Sequence, residues 1–282
     1  MDITYTPKGP IIKDKSGPFL TTRLMWRELV SSKELIWRLF LRDFEAKYRQ
    51  SLFGVSWSIL TPLVVVGLFV ALNRAGILTV EGVDVPYPLY ALIGLAIWNL
   101  FSVGLTACSN ALVRAGSMVV KINFPKVALI FAASGQSVIE FSIRMGLIAL
   151  AFIYFDVTPA WKGFFFGLLL LVPIYMMAVG IGFALSLVGV VIRDIVNVLN
   201  IALMGMMLLT PILYPITGDN LLASINQGNP FNYLVNVPRD FMVKGHSEFF
   251  ADFIWAAVLS AVVCYLGWRF FYLAQNKIAE RL

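Results

Sequence analysis

Six long apolar runs leave this chain one solvent in which it can fold. They lie at about residues 54–73, 89–113, 127–154, 163–191, 196–214 and 249–272. Each is close to the roughly 20 residues a helix needs to cross the hydrocarbon of a bilayer. The first carries no charged side chain from Gly54 to Leu72. Where water cannot reach backbone N–H and C=O groups, a helix satisfies them within its own segment. The sequence therefore predicts an all-α integral membrane protein with six transmembrane helices. Composition agrees, with 59% hydrophobic and 13% charged residues and a mean hydropathy of +0.82, against about 25% charged in soluble domains. No polar stretch beyond the N-terminal 50 residues is long enough to bury a second core.

The segment before the first span has a different periodicity. In KELIWRLFLRDFEAKYRQ, residues 33–50, Trp37, Phe40, Leu41, Phe44 and Tyr48 fall on one helical stripe. Arg38, Arg42, Glu45 and Arg49 fall on another. An aromatic stripe opposite a basic face is the pattern of a helix lying in the headgroup layer. Residues 1–32, with Pro7, Pro10, Lys8, Lys13 and Lys15, read as a polar cytoplasmic tail without the apolar centre of a signal peptide. The single transmembrane domain is then 33–282. Cys108 and Cys264 both sit in apolar runs and read as small core residues, not as a disulfide framework.

Charge sets the orientation. Ten of the 22 Lys and Arg residues precede residue 50. With both termini in the cytoplasm, Arg114, Lys121, Lys126, Arg193, Arg269, Lys277 and Arg281 join them, while Arg74, Lys162, Arg239 and Lys244 fall outside. Basic residues beside spans mark the cytoplasmic face, so both termini are expected inside. Basic clusters placed this way attract anionic lipid rather than nucleic acid. The last external link, 215–248, contains PFNYLVNVPRDFMV, which is half-apolar and broken by proline. It is expected to be re-entrant or to form short helices, tolerated where protein covers its backbone. Pro62 and Pro173 are expected to bend the first and fourth spans.

Catalytic patterns do not occur. The chain has no GxxxxGK[ST], HExxH, GxSxG or CxxC, and its single histidine, His246, has no metal-ligand spacing around it. No cofactor or metal is expected on this chain, so work would draw on an ion gradient or a separate ATPase. Glu140 and Arg144 form the one intramembrane charge pair and share a helical face at a spacing of four. They read as a packing pair, or alternatively as the proton or substrate site of an ion-coupled transporter. Trp57, Trp98, Phe101, Phe141 and Tyr175 are candidates for a channel wall on which sugar C–H faces slide. Gly180, Gly182, Ala184 and Ser186 could form a close helix seam. An enzyme acting on a lipid-linked sugar would need clustered acids, and Asp156, Asp219 and Asp240 are dispersed.

The stretch from Trp37 to Leu63 resembles the opening segment of ABC-type permeases that export polysaccharides and polyol phosphates. Tyr48, Arg49, Gln50 and Ser51, then Gly54, Trp57 and Pro62, fit that family's YRxSxLGxxWxxLxP pattern. INFP at 122–125, the Arg193-Asp194 turn, TPILYP at 210–215 and Asn229-Pro230 are similar in order and depth; TPILYP stands where a Ser-Pro is common. The resemblance implies a homodimer of six-span subunits in the cytoplasmic (inner) membrane. It implies two separate ABC ATPase subunits that bind ATP-Mg, and a lipid-linked glycan such as O-antigen, capsule or teichoic acid as substrate. It implies that Arg42, Lys47, Tyr48, Arg49, Arg193 and Asp194 meet the ATPase. Arg114, Lys121 and Lys126 would form a gate for the lipid pyrophosphate. An ABC permease for another lipid or a drug is the nearest alternative.

Overall fold

The computed structural model describes residues 2–6, 9–13, 18–49, 54–76, 83, 85–116, 124–192, 194–215 and 221–278. Its first elements are two antiparallel strands, β1 (Asp2–Thr6) and β2 (Gly9–Lys13). Every other regular element among the described residues is helical. The segment read as a tail thus carries structure of its own. It includes α1 (Pro18–Ser31), whose Met25 is buried. Helix α2 (Lys33–Arg49) follows after Ser32, whose hydroxyl donates to the Glu28 carbonyl at 2.7 Å.

Among the described residues, five helices are long and apolar enough to span a membrane. They are α3 (Trp57–Arg74), α4 (Tyr87–Ala115), α5 (Val127–Tyr154), the pair α6 (Trp161–Leu169) with α7 (Val172–Val191), and α11 (Phe250–Ile278). The α6–α7 pair is one span interrupted at Leu170 and Leu171. Pro173 has no N–H to offer the Leu169 carbonyl, so the ladder fails there and restarts. The expected bend at this proline is therefore a break.

The sixth expected span is shorter than its apolar run. Helix α8 (Ile195–Leu209) has 15 residues, about 22 Å at 1.5 Å per residue. It stops at Thr210, which the following Pro211 pushes into an extended conformation. The chain then turns into two short helices, α9 (Leu221–Gln227) and α10 (Pro230–Lys244). Asn229 caps α10 by accepting a bond from the Phe231 N–H at 3.0 Å. Gly245, at φ 82°, ends it in the left-handed conformation. The short-helical link expected between the last two spans is present.

Helix α4 is the axis of the bundle. Leu89, Ile93, Ile97, Phe101 and Leu112 along it are fully buried, as suits a helix apolar on all but one face. It packs against α5 and α7 along its length and against α3, α8 and α10 over shorter stretches. The bundle thus has two ends. One holds the C-terminus of α4, the N-terminus of α5, and helices α1 and α2; there Trp26 of α1 meets Trp268 of α11 edge-on at 5.4 Å. The other holds Tyr90, the start of α6, and α10, which packs on α6 where a side chain at Gly167 would strike the Pro238 carbonyl.

Candidate functional site

Helix α2 does more than rest on a surface. It lies along α5, close enough that a side chain at Gly135 would run into the Phe40 ring. Trp37, Phe40, Phe44 and Tyr48 form a ladder of rings on it, with centroids 5.4, 6.3 and 5.0 Å apart. This ladder uses the stripe read from the sequence, while Trp37 and Leu41 remain largely exposed. The last turn of α2 reaches Glu140, midway along α5. There the Lys47 ammonium pairs with one Glu140 oxygen, and Arg144 donates to the other at 3.1 Å. Glu140 and Arg144 are both buried, at 4% and 6% exposure. Arg144 Nε and Nη1 and the Tyr48 hydroxyl have no hydrogen-bond partner among the described residues. Sequence spacing showed the pair; the third member, 93 positions away, it could not.

Beside this cluster a groove runs along α4. Asn99, Ser102, Thr106 and Arg114 of α4 face it, joined by Gln136 of α5, Asn200 of α8 and Lys47 of α2. Its volume is about 410 Å³. It continues into a second cavity of about 500 Å³ bounded by Arg42, Asp43, Lys47, Arg114 and Gln136. Asn99 and Asn110 donate to the Leu95 and Thr106 carbonyls one turn back, at 2.7 and 3.0 Å. The sequence reading missed this stripe, although its signal was available. Polar side chains at 99, 102, 106 and 110 recur every three or four residues inside an apolar span, which places them on one face.

The predicted site residues divide by position. Arg42, Lys47 and Arg114 come together at the α2 end of the groove. Arg42 also pairs with its neighbour Asp43 at 2.7 Å. Arg49 and Asp194 are exposed, and Asp194 stands at the N-cap of α8. Arg193 and Lys121 lie outside the described residues. Lys126 sits apart from the groove. Its ammonium donates to the Gln275 carbonyl at 3.0 Å, joining α5 to α11, and burial lowers its pKa. Of the aromatic candidates, Trp98 borders the groove, while Phe101 and Phe141 are buried in the subunit. Tyr175 bonds the Ser134 hydroxyl at 2.7 Å between α7 and α5, and Trp57 is half exposed.

Among the described residues no group of three or more His, Cys, Asp or Glu side chains could hold a metal ion. The arrangement is a polar groove along α4 with Arg42, Lys47 and Arg114 at one end, and a helix, α2, fastened beside it to a span. The sequence profile of the family described as ABC-2 type transporter matches residues 34–243, which takes in α2, the groove and α10. Over 195 residues the chain is 25% identical to the O-antigen export system permease protein RfbA of Myxococcus xanthus, covering 68% of this chain and 72% of that one. It is 21% identical over 247 residues to a protein of the same name from Klebsiella pneumoniae, covering 86% and 92%. A second Klebsiella pneumoniae protein of that name is 22% identical over 174 residues, covering 61% and 66%.

Proposed function

The chain belongs to the ABC-2 type transporter family, and on that premise we propose that it is the membrane subunit of an ATP-driven exporter of a lipid-linked polysaccharide. Two copies and two separate ATPase subunits make up the machine in the cytoplasmic membrane, with both termini of this chain inside. The names of its relatives, O-antigen export permeases, support the substrate class. One structural observation carries the mechanism: the groove along α4 ends at the cationic mouth beside α2, and α2 is fastened to α5 through Lys47 and Glu140. A glycan crossing a bilayer needs hydroxyl-matching side chains in place of water, and Asn99, Ser102, Thr106 and Gln136 provide them. A pyrophosphate-linked head is drawn to guanidinium and ammonium groups at a membrane face. Arg114 is placed for that, at the α2 end of the groove. Lys126, engaged with α11, holds the bundle instead.

The exposed basic side chains of α2, Arg42 and Arg49, together with Asp194, form the ATPase-docking surface in this reading. A push on α2 would pass to the middle of α5 through the ion pair and the Phe40–Gly135 contact. The test is co-purification with candidate ATPase subunits, followed by ATP hydrolysis in lipid. A two-plus-two complex is expected, with hydrolysis stimulated by this chain and stimulation lost in the Arg42→Glu/Arg49→Glu variant. A chain that purifies alone and moves substrate on an ion gradient would sink the proposal.

A further inference from the structure

At the end of the bundle away from α2 lies a separate cavity of about 360 Å³, within the roughly 300–1,000 Å³ usual for small-ligand sites. Its lining differs from that of the groove. Asn232, Asn236, Arg239 and Asp240 reach it from α10, and Asn226 and Gln227 reach it from α9. Tyr233 and Phe249 contribute rings whose centroids are 6.3 Å apart.

These groups are held in place by one another. Asn236 donates to the Asn232 side-chain oxygen, and its own oxygen accepts from Arg239. Arg239 also donates to the Tyr90 hydroxyl at 2.6 Å and the Ile212 carbonyl at 3.0 Å, and its guanidinium stands 3.6 Å from the Tyr90 ring centre. The Tyr233 hydroxyl donates to the Gln227 carbonyl at 2.8 Å. Arg239 is 3% exposed, yet its Nε has no hydrogen-bond partner among the described residues. A buried donor without a partner calls for an acceptor. A side-chain amide has two N–H donors and two acceptor sites, so an amide that spends one of each on its neighbour retains more.

Lining of this kind selects among ligands. An inorganic anion would meet Arg239 and Lys244 but also the Asp240 carboxylate on the same α10 wall, and it would leave the amide N–H and C=O groups unmatched. A lipid chain would find apolar contacts at Val83, Val85 and Val243, but it could not match the amides and charged groups beside them. Sugar hydroxyls both donate and accept, which matches amides beside a carboxylate and a guanidinium, and sugar C–H faces match the Tyr233 and Phe249 rings. We propose that this cavity is a saccharide-binding site that holds one or two sugar units of the exported glycan as it leaves the far end of the subunit. The assignment of that end to the external side rests on the export reading above.

The test uses the full chain in lipid nanodiscs, which avoids sugar-headed detergents. The probes are methyl glycosides of a hexose, a 6-deoxyhexose, an N-acetylhexosamine and a uronic acid, read by saturation-transfer NMR. At least one glycoside is expected to receive saturation, and Gln227→Leu and Asn232→Leu are each expected to weaken its binding roughly fivefold or more. Gln227 is exposed, so its replacement leaves the fold intact. Ser142→Ala, on the outer face of α5, should bind as the wild type does. No transfer to any probe at roughly 10 mM, or transfer unchanged in both cavity variants, overturns the site. ATPase association, measured in the same nanodiscs, separates the two readings. A complex that hydrolyses ATP but binds no glycoside refutes the site and leaves export standing. Glycoside binding by a chain that engages no ATPase keeps the site and removes the export reading.

Discussion

Glu140 serves two cations with one carboxylate, and the two differ in burial. Arg144 is 7% exposed at its side chain, Lys47 40%. Removing the partner of a buried charge destabilises strongly, about 3–5 kcal/mol, whereas an ion pair with a solvated member contributes about 0–1 kcal/mol. Glu140→Gln is therefore expected to lower the thermal unfolding midpoint far more than Lys47→Ala, as read by scanning fluorimetry of the purified protein. Adding Arg144→Gln to Glu140→Gln should recover much of the loss, because it removes the stranded charge. Equal losses for Glu140→Gln and Lys47→Ala would show that Arg144 finds its counter-charge elsewhere. In ATP hydrolysis assays Lys47→Ala has a second expected effect. It should leave ATPase binding intact and reduce stimulation, since Lys47 faces α5 and the exposed Arg42 and Arg49 do not depend on it.

Elements in this bundle are separated by how closely their backbones approach. Helices α7 and α11 nearly touch: a methyl on Gly267 would strike the Gly180 carbonyl, and one on Gly180 would strike the Cys264 backbone. Because both obstacles are main chain, neither can swing aside, and Gly267→Ala must push the helices apart. It is expected to destabilise the protein, whereas Gly146→Ala, with open space around it, should be neutral or stabilising by up to about 1 kcal/mol through helix propensity. Retention of the wild-type unfolding midpoint by Gly267→Ala would refute the close seam. The existence of the helices was legible in sequence because each span is an apolar run and hydropathy reads runs. The seam was partly legible through Gly180, but its partner Gly267 stands alone in an aromatic stretch. The end of α8 was misjudged since Ile212 and Leu213 extend the apolar run past Pro211, and hydropathy does not see the missing N–H. Helix α1 was missed because Met25 falls among polar residues and becomes buried only in the assembled bundle, while Trp26 stays 56% exposed and meets Trp268 of α11 edge-on.

At the scale of the whole molecule, one subunit presents a polar groove on a surface that should otherwise face lipid. A lone polar stripe in hydrocarbon is unfavourable, so the groove must meet water or a second subunit, and the export reading supplies both by pairing two grooves into one conduit. The state of the groove can be measured through thiol chemistry. Maleimides react with the thiolate, which forms only where water reaches it. In a background carrying Cys108→Ala and Cys264→Ala, Thr106→Cys faces the groove and Leu150→Cys faces outward from α5 at 64% exposure. Both are accessible in the isolated subunit, so geometry alone does not tell them apart. If the groove is a hydrated conduit, a water-soluble maleimide added to membranes should label Thr106→Cys many times faster than Leu150→Cys, and bound ATPase with trapped nucleotide should change that rate. Slow labelling at both positions would mean that lipid fills the groove, and the polar face of α4 would then have to be explained by helix packing alone.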